Sequence, residues 1–276
     1  MAEAKSWEVS DELWSMAEPL LVTHDPRAGA GRRRFQRRKG GGRKPLAARQ
    51  AFAAIVYVLR TGCQWKALPP NFGSGSAVHA RFQRWRADGF FLRLWRAGLA
   101  EYDELEGIAW TWQSIDGTMG KAPLAQEAVG RNPTDRGKKG TKRSLLVDGA
   151  GVPLSLIVSG ANRHDVKLLP GTLDAIVVRR PKPTRRRRQH LCGDKAYSGR
   201  PADRQMRKRG YTPHVRRIGQ DAKTKRHGGR PRRWVVERSH SWFNRFRKIL
   251  VRYEKKEANY LALTHCAAAI ICFRMC

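Results

Sequence analysis

The hydrophobic pattern divides the chain into a helical first part and a mixed second part. Residues 46–104 carry apolar side chains at spacings of three and four, which is typical of amphipathic helices. From about residue 108 the pattern changes to short apolar runs bounded by glycine, and these runs predict strands separated by helices. We therefore predict an N-terminal all-helical region at 1–105 and a mixed α/β region at 106–276.

The helical region is predicted to contain one short helix and three longer ones. The short helix follows Ser10 or Asp11, either of which is a typical N-cap. The next helix ends at Gly62, and a turn leads from it to an arginine-rich helix. This order is the outline of a helix-turn-helix DNA-binding module. Because helical bundles that bind no DNA share the same outline, both interpretations stay open.

The second region predicts a mixed sheet with helices packed on it. One strand is predicted at 109–118, and two more strands joined across Asp148-Gly149 form a hairpin. The segments HLCGD and YTPHV predict later strands, and helices lie between them. This order of strands and helices favours a mixed α/β fold.

The stretch Arg233–Leu250 is predicted to be one continuous amphipathic helix. Four apolar residues share the face that is expected to pack on the sheet, namely Val236, Phe243, Phe246 and Leu250. The opposite face is expected to be exposed, and it carries Glu237, Ser241, Asn244 and Lys248. Glu237 is therefore either a surface residue screened by its basic neighbours or a metal ligand beside a nucleic-acid phosphate.

The charge of the chain indicates a polyanionic partner. The 276 residues include 56 lysines and arginines against 23 acidic residues, which gives a formal net charge of +33. Because binding a polyanion releases counterions, this surplus favours nucleic acid as the partner. The Gly- and Arg-rich stretch 26–45 predicts a phosphate-contacting arm, with a solvated linker as the alternative.

Hydropathy and cysteine content disfavour a membrane protein and a zinc protein. The longest apolar run, Leu261–Phe273, is too short to span a bilayer and predicts a buried helix. The first residues are acidic and lack an apolar core, so no signal peptide is expected. The five cysteines form no CxxC pair, which fits a reducing compartment.

Three acids stand where metal chemistry is expected. Asp116 ends a predicted strand, Asp194 ends a later strand, and Glu237 lies in the first turn of the last basic helix. Carboxylates without His or Cys suit hard cations such as magnesium or manganese. Gly117 and Gly193, beside the two aspartates, are expected to leave room for a phosphate. Taken singly, each aspartate is more often a turn residue or a helix cap.

The adjacent residues His164 and Asp165 form a second candidate pair. Because Asp165 falls at a predicted helix start, a capping role is favoured over a catalytic one. Trp242 has a similar pair of interpretations, and packing in the core is favoured over stacking on a base.

The motifs around the three acids resemble the DDE transposases of bacterial insertion sequences, in particular the insertion-sequence-five group. SIDGT at 114–118 resembles the first-Asp motif of that family, and CGDKAYS at 192–198 resembles its second-Asp motif. RWVVERSHSWFNRFRKI resembles its Arg-x-x-x-Glu helix, with Arg233 and Glu237 in register. Asn244 stands where the family often has a lysine or arginine.

The resemblance implies a ribonuclease H-like catalytic core and a transposition reaction. Asp116, Asp194 and Glu237 would be the catalytic residues and the ligands of two Mg²⁺ or Mn²⁺ ions. The implied partners are the terminal inverted repeats of an insertion sequence and a target DNA, bound by a homodimer or higher assembly in a bacterial cytoplasm, at the nucleoid. The residues expected to contact DNA are basic: Arg32, Arg33, Arg34, Arg81, Arg84, Arg233, Arg238, Arg245 and Lys248.

Three other functions stay open at this point. One is a DNA-binding protein derived from such an enzyme without catalytic activity, and another is a ribonuclease H-like nuclease that acts on RNA. The third is a basic nucleoid- or ribosome-associated protein, although such a protein needs no set of three acids.

Overall fold

The structure is a computed structural model, and it describes residues 7–21, 46–215 and 234–276. The chain divides into two compact units, Met1–Phe90 and Phe91–Cys276. Each unit has its own buried core.

The first unit is helical, as the sequence predicts. Its helices are α1 (Asp11–Ala17), α2 (Ala48–Thr61) and α3 (Gly75–Ala87). The Ser10 hydroxyl caps α1 by accepting a hydrogen bond from the Leu13 N–H, and Gly62 ends α2 with a φ of 74°. Phe52 lies at the centre of the core and contacts the rings of Trp14 and Phe90.

The connection between α2 and α3 differs from the predicted helix-turn-helix outline. Residues 62–74 contain two short 3-10 turns, Trp65–Ala67 and Pro70–Phe72. A helix-turn-helix motif joins its helices by a turn of about three to four residues. The arginine-rich helix is present, but a longer folded segment leads into it.

The boundary between the units lies earlier than the predicted one at 105/106. Helix α4 (Phe90–Leu105) belongs almost entirely to the second unit. Its Trp95 indole N–H donates to the Pro153 carbonyl at 3.1 Å, and its Arg96 donates to the Val177 carbonyl at 3.0 Å. These hydrogen bonds attach α4 to the sheet-containing part of the chain.

The second unit is built on one mixed sheet. Its strands are β1 (Trp112–Lys121), β2 (Gly130–Arg131), β3 (Lys139–Val147), β4 (Pro153–Gly160), β5 (Gln189–Gly193) and β6 (Tyr211–Val215). Strand β1 lies between β3, to which it is antiparallel, and β5, to which it is parallel. Strand β6 continues the parallel part beside β5, while β2 and β4 both pair with β3. The predicted mixed α/β fold with N-terminal helices is confirmed.

The predicted hairpin between β3 and β4 closes on Asp148. This fully buried carboxylate accepts hydrogen bonds from the N–H groups of Ala109, Ala150 and Val152, at 3.0, 2.9 and 2.8 Å. Burial raises the pKa of Asp148, and the hydrogen bonds from the backbone oppose that rise. Asp148 is therefore a structural turn residue, as the sequence predicts.

Five further helices complete the second unit. They are α5 (Asp165–Asp174), α6 (Arg200–Lys208), α7 (Trp234–Asn244), α8 (Arg247–Leu250) and α9 (Glu257–Phe273). Helix α5 packs on β3 and β4, α6 packs on β6, and α7 packs on β1 and β3. Helix α9 is largely buried against β4, which confirms the predicted buried helix near the C-terminus. In the part of the chain that the structure describes, no helix has the length and apolar character to cross a membrane.

The predicted continuous helix at Arg233–Leu250 is wrong, because α7 and α8 are separate. Phe246 interrupts the helix with an extended backbone (φ −92°, ψ 92°) and places its ring in the core. The break reverses the predicted exposure of the residues after it. Lys248 is buried and lies 3.4 Å from Glu254, whereas Leu250 is 46% exposed.

The half-buried histidine of α9 predicts a pH-dependent stability. His265 lies against the Trp95 ring, and burial, followed by the positive charge of Arg96, lowers its pKa from 6.5 to about 4. Between these two values the unfolded chain binds a proton that the folded chain does not. The free energy of unfolding is therefore expected to fall by up to about 3 kcal/mol as the pH decreases from 6.5 towards 4.

Urea unfolding of the wild type and of His265→Gln over that pH range measures this contribution. Glutamine does not titrate, so the variant is expected to lose the part of the pH dependence that comes from the imidazole. Equal pH dependence in the two proteins would contradict the assignment.

Candidate active site

The register of two parallel strands places Asp116 beside Asp194. The last residue pair between β1 and β5 is Ser114 with Cys192. Asp116 and Asp194 each lie two residues further along their own strand direction. Since neighbouring strands are about 4.8 Å apart, the two aspartates lie at the same edge of the parallel part of the sheet.

The buried side chain of Tyr197 lies close to both aspartates. Its pKa is raised first by burial, next by the negative charge of Asp165, and then by the charges of Asp116 and Asp194. A phenol affected by all three carboxylates must be near each of them, because such interactions fall off with distance. Asp116 and Asp194 therefore converge on one region.

Asp194 has a local structural role in this region. Its side chain accepts a hydrogen bond from the Ala196 N–H at 2.9 Å and caps the 3-10 turn Lys195–Tyr197. A Cβ atom at Gly193 would approach the Tyr197 ring to 3.0 Å. Gly193 thus accommodates a tyrosine ring of the protein, where a phosphate was expected.

Helix α7 brings a histidine to Asp116. The Nε2 atom of His240 lies 3.4 Å from Oδ2 of Asp116. His240 is only 7% exposed, and this nitrogen makes no hydrogen bond among the described residues. Sequence analysis missed His240, although its position three residues after Glu237 on a predicted helix places both on one side of that helix.

Glu237 is exposed in the first turn of α7, one turn before His240. In residues 7–21, 46–215 and 234–276, no three His, Cys, Asp or Glu side chains are near enough to one another to hold a metal ion. The structure therefore brings Asp116 and Asp194 to one edge and His240 to Asp116. It does not gather all three predicted acids into one group.

Asp116 points towards α7, so the next residue, Gly117, points to the opposite face of the sheet, because successive residues of a strand point to opposite faces. On that face Gly117 contacts Asp165. A Cβ atom at Gly117 would lie 2.1 Å from Oδ1 of Asp165. The other oxygen of Asp165 pairs with Lys142 at 3.0 Å, and Lys142 also donates to the Arg163 carbonyl at 2.8 Å. The N-cap position of α5 is His164 and Asp165 is the first helical residue, so the predicted role of Asp165 as the cap is wrong. Gly117 makes room for a carboxylate of the protein.

The predicted DNA-binding residues of the first unit differ in exposure. Arg84 on α3 is exposed. Arg81 is half-buried, donates to the Leu46 carbonyl at 3.1 Å and lies over the Trp85 ring. Four other predicted residues, Arg32, Arg33, Arg34 and Arg233, lie outside the described residues.

The predicted DNA-binding residues around α7 also differ from one another. Arg245 is exposed. The Arg238 guanidinium donates to the Ala150 carbonyl and lies over the rings of Trp234 and Trp242, at 4.8 and 4.9 Å from their centroids. For Lys248 the expectation must be corrected, because its side chain is buried beside Glu254 and faces the core.

A basic stripe on α6 was not among the predicted DNA-binding residues. Its members are exposed and recur at helical spacing on the side of α6 that faces away from the sheet: Arg200, Arg204, Arg207 and Lys208. Asp203 lies among them and is partly buried. Helix α6 begins six residues after Asp194 in the chain. Ala202 and Met206 are the buried residues of α6, and their spacing in the sequence could have indicated that the basic residues lie on the exposed side.

Comparison with protein families matches both units of the chain. Residues 113–272, more than half of the chain, match the family described as "Transposase DDE domain". Residues 9–95 match the family described as "Putative transposase of IS4/5 family".

Two proteins of Burkholderia cepacia are similar to this chain. The "Putative transposase for insertion sequence element IS402" is 34% identical over 153 residues, which are 52% of this chain and 68% of that protein. The "Insertion element IS402 uncharacterized 16.2 kDa protein" is 34% identical over 127 residues, which are 45% of this chain and 80% of that protein.

Among solved structures, the chain is similar to the Mos1 transposase in two complexes. The chain in the pre-cleavage Mos1 transpososome is 10% identical to this one, with a TM-score of 0.31. The likeness covers 87% of this chain and 81% of the Mos1 chain. The Mos1 mariner paired-end complex with Mn has the same identity and coverage and a TM-score of 0.28. These TM-scores indicate only a distant likeness. The matches in sequence are the basis for assigning the chain to a family.

The contact between Gly117 and Asp165 predicts that Gly117→Ala destabilises the second unit. The added methyl group would overlap Oδ1 of Asp165 and approach Lys142, which is itself buried. We expect a loss of about 1–3 kcal/mol in the free energy of unfolding, as for other overpacked sites. Denaturant unfolding measures this loss.

Gly171→Ala is the matched control, because a Cβ atom there meets only Ile157 at an ordinary distance of 3.4 Å. Asp165→Ala removes the oxygen that overlaps the methyl group but leaves buried Lys142 without its carboxylate, so Gly117→Ala with Asp165→Ala is expected to cost less than the sum of the two single losses. A Gly117→Ala protein as stable as the wild type would contradict the packing described here.

Proposed function

Because this chain belongs to the DDE transposases of the IS4/5 family, we propose that it binds the ends of its insertion sequence, cleaves DNA there and joins the freed strand to target DNA. Transposases of this class act on DNA with divalent metal ions. The observation that carries the proposal is the placement of Asp116 and Asp194 at one sheet edge, each two residues beyond the last β1–β5 pair, in a chain of net charge +33. A concentration of carboxylates in so basic a chain suits a cation bound against a phosphate.

The chemistry of the side chains at this edge fits a hard divalent cation. Asp116 and Asp194 offer carboxylate oxygens, which Mg²⁺ and Mn²⁺ prefer. Nε2 of His240, a buried nitrogen to which no other described residue is hydrogen-bonded, also faces Asp116. We propose that Glu237 completes the set of acids when DNA and metal bind, because it is exposed in the first turn of α7, one turn before His240.

Two such ions, when bound, supply an activated water or 3′-hydroxyl and stabilise the leaving oxygen of the phosphodiester. The chain's own residues hold the DNA in place for this reaction. Exposed arginines such as Arg84 and Arg245 offset phosphate charge, and so does the α6 stripe beyond Asp194. Because joining an element to its target requires both ends, we propose a homodimer or a higher assembly on double-stranded DNA.

One structural observation favours a second candidate function. Since the described residues do not gather three metal-binding side chains, the chain could be a DNA-binding protein derived from a transposase and without catalytic activity. The two candidates differ in whether the chain cleaves DNA that carries the ends of its element in the presence of Mg²⁺ or Mn²⁺.

Asp116→Asn is expected to abolish metal-dependent cleavage of end-containing DNA and to leave DNA binding within about twofold of the wild type. The substitution removes the charge that would hold the metal but keeps the shape of the side chain. Cleavage of a labelled duplex and gel-shift titration measure the two properties on the same protein, and an RNA duplex of the same sequence tests the ribonuclease alternative.

Glu104→Gln is the control, because Glu104 is an exposed acid on α4, away from the sheet edge. It removes one negative charge as well and is expected to cleave normally. A wild type that binds DNA but never cuts it would support the second candidate, and an Asp116→Asn protein that cuts at the wild-type rate would exclude Asp116 from the chemistry.

The α6 stripe predicts a measurable share of the DNA affinity. Replacing Arg200, Arg204 and Arg207 by glutamine is expected to reduce the slope of log affinity against log salt by about 3 and to weaken binding at least tenfold. Fluorescence anisotropy over a salt series measures both quantities.

The control for the α6 stripe is a second triple variant, in which Lys138, Lys139 and Lys256 become glutamine. These exposed lysines lie outside α6, and their loss lowers the net charge by the same amount. If both triple variants lose affinity equally, then total charge is what binds DNA, and the α6 stripe is not a binding surface.

A further inference from the structure

We propose that His240 is a metal ligand of the site and gives it a preference for Mn²⁺ over Mg²⁺. The inference rests on the proposed function of Asp116. It adds a nitrogen donor to a site that the family motifs describe by carboxylates alone.

The separation of the two donor atoms fits a shared ion. Oδ2 of Asp116 and Nε2 of His240 are 3.4 Å apart. Two ligands bonded to one cation at about 2.0–2.2 Å, with an angle of about 90–110° between the bonds, lie about 3.0–3.5 Å apart. The aspartate and the histidine can therefore bind one ion with little movement of β1 or α7.

The burial of His240 also favours a ligand at this nitrogen. The side chain is 9% exposed, and Nε2 is shielded from water without a hydrogen bond among the described residues. A buried polar atom left without a hydrogen bond costs about 1–3 kcal/mol. Bonding of this nitrogen to a cation would remove that cost.

The contacts of α7 fix His240 against β1. Before it, the Ser239 hydroxyl donates to the Gly151 carbonyl at 2.6 Å. After it, the Asn244 amide oxygen accepts from Arg143 of β3 at 3.0 Å. Because α7 is held to the sheet on both sides of His240, the imidazole stays in place beside Asp116.

The identity of the donor atom predicts the metal preference. Mg²⁺ strongly prefers oxygen ligands, whereas imidazole nitrogen is a better ligand for transition metals, a series of which Mn²⁺ is the weakest-binding member. A site of carboxylates alone would distinguish the two ions weakly. His240 would therefore strengthen Mn²⁺ binding without a matching gain for Mg²⁺.

The experiment measures metal affinity directly, without DNA or catalysis. Free Mn²⁺ is followed by electron paramagnetic resonance during titration of the full chain, and the affinity for Mg²⁺ is obtained by competition. In His240→Gln the affinity for Mn²⁺ is expected to fall about tenfold, while that for Mg²⁺ stays within about twofold. Asp116→Asn is expected to weaken the binding of both ions.

Two control variants account for a competing pair of histidines and for a histidine outside the proposed site. Nδ1 of His190 lies 2.8 Å from Nε2 of His214, and these two imidazoles could bind Mn²⁺ without the proposed site. All titrations are therefore made in a His190→Gln background. In the same background, His265→Gln replaces a half-buried histidine, remote from Asp116, and is expected to leave both affinities unchanged.

The outcomes separate this inference from the proposed function. If Asp116→Asn weakens the binding of both ions and His240→Gln leaves the Mn²⁺-to-Mg²⁺ ratio unchanged, His240 only positions Asp116 and the inference is overturned. If Asp116→Asn binds both ions like the wild type, the proposed metal site itself fails. Pulsed electron paramagnetic resonance of the Mn²⁺-loaded His190→Gln protein covers the case in which His240→Gln does not fold. Coupling of Mn²⁺ to an imidazole nitrogen is expected there, and its absence overturns the inference.

Discussion

The parallel pairing of β1 with β5 is the constraint on which the site depends. The two strands are 67 residues apart in the chain, from Lys121 to Gln189, and no local sequence signal connects them. Their register aligns Ser114 with Cys192, and the two aspartates follow at equal distances beyond that pair. A shift of one residue would send one carboxylate to the opposite face of the sheet. The hydrogen bonds of this short ladder therefore determine that Asp116 and Asp194 lie at the same edge of the sheet.

The two faces of β1 next to this ladder serve different purposes. Asp116 faces α7, where His240 is its neighbour. The next residue, Gly117, faces α5 and receives Asp165, which is paired with Lys142. The face towards α7 thus holds groups suited to a cation, and the face towards α5 holds the ion pair of Lys142 with Asp165. Because side chains alternate along the strand, β1 separates the proposed metal site on one face from the ion pair on the other face.

Acids are scarce in this chain, and several of them have structural tasks. Asp148 closes the β3–β4 hairpin, and Glu254 offsets the buried charge of Lys248. A buried charge without a partner is strongly destabilising, so these acids are needed for the fold. The large basic surplus is left for the surface, and the α6 stripe is one place where exposed cations share a helix face. Binding of a polyanion would relieve the mutual repulsion of these cations.

The sequence by itself determined the helical first unit, the mixed α/β second unit, the hairpin at Asp148 and the family, because periodicity, turn residues and motifs are local features. It also singled out Asp116 and Asp194, whose positions at strand ends can be read from the chain. Only the tertiary structure decided that Phe246 interrupts a helix, that Lys248 is buried and that Gly117 makes room for Asp165. It also revealed that His240 lies against Asp116. Apart from Lys248 and Glu254, the contacting residues are far apart in the chain, and packing between elements selects these contacts, so no spacing within one element could reveal them.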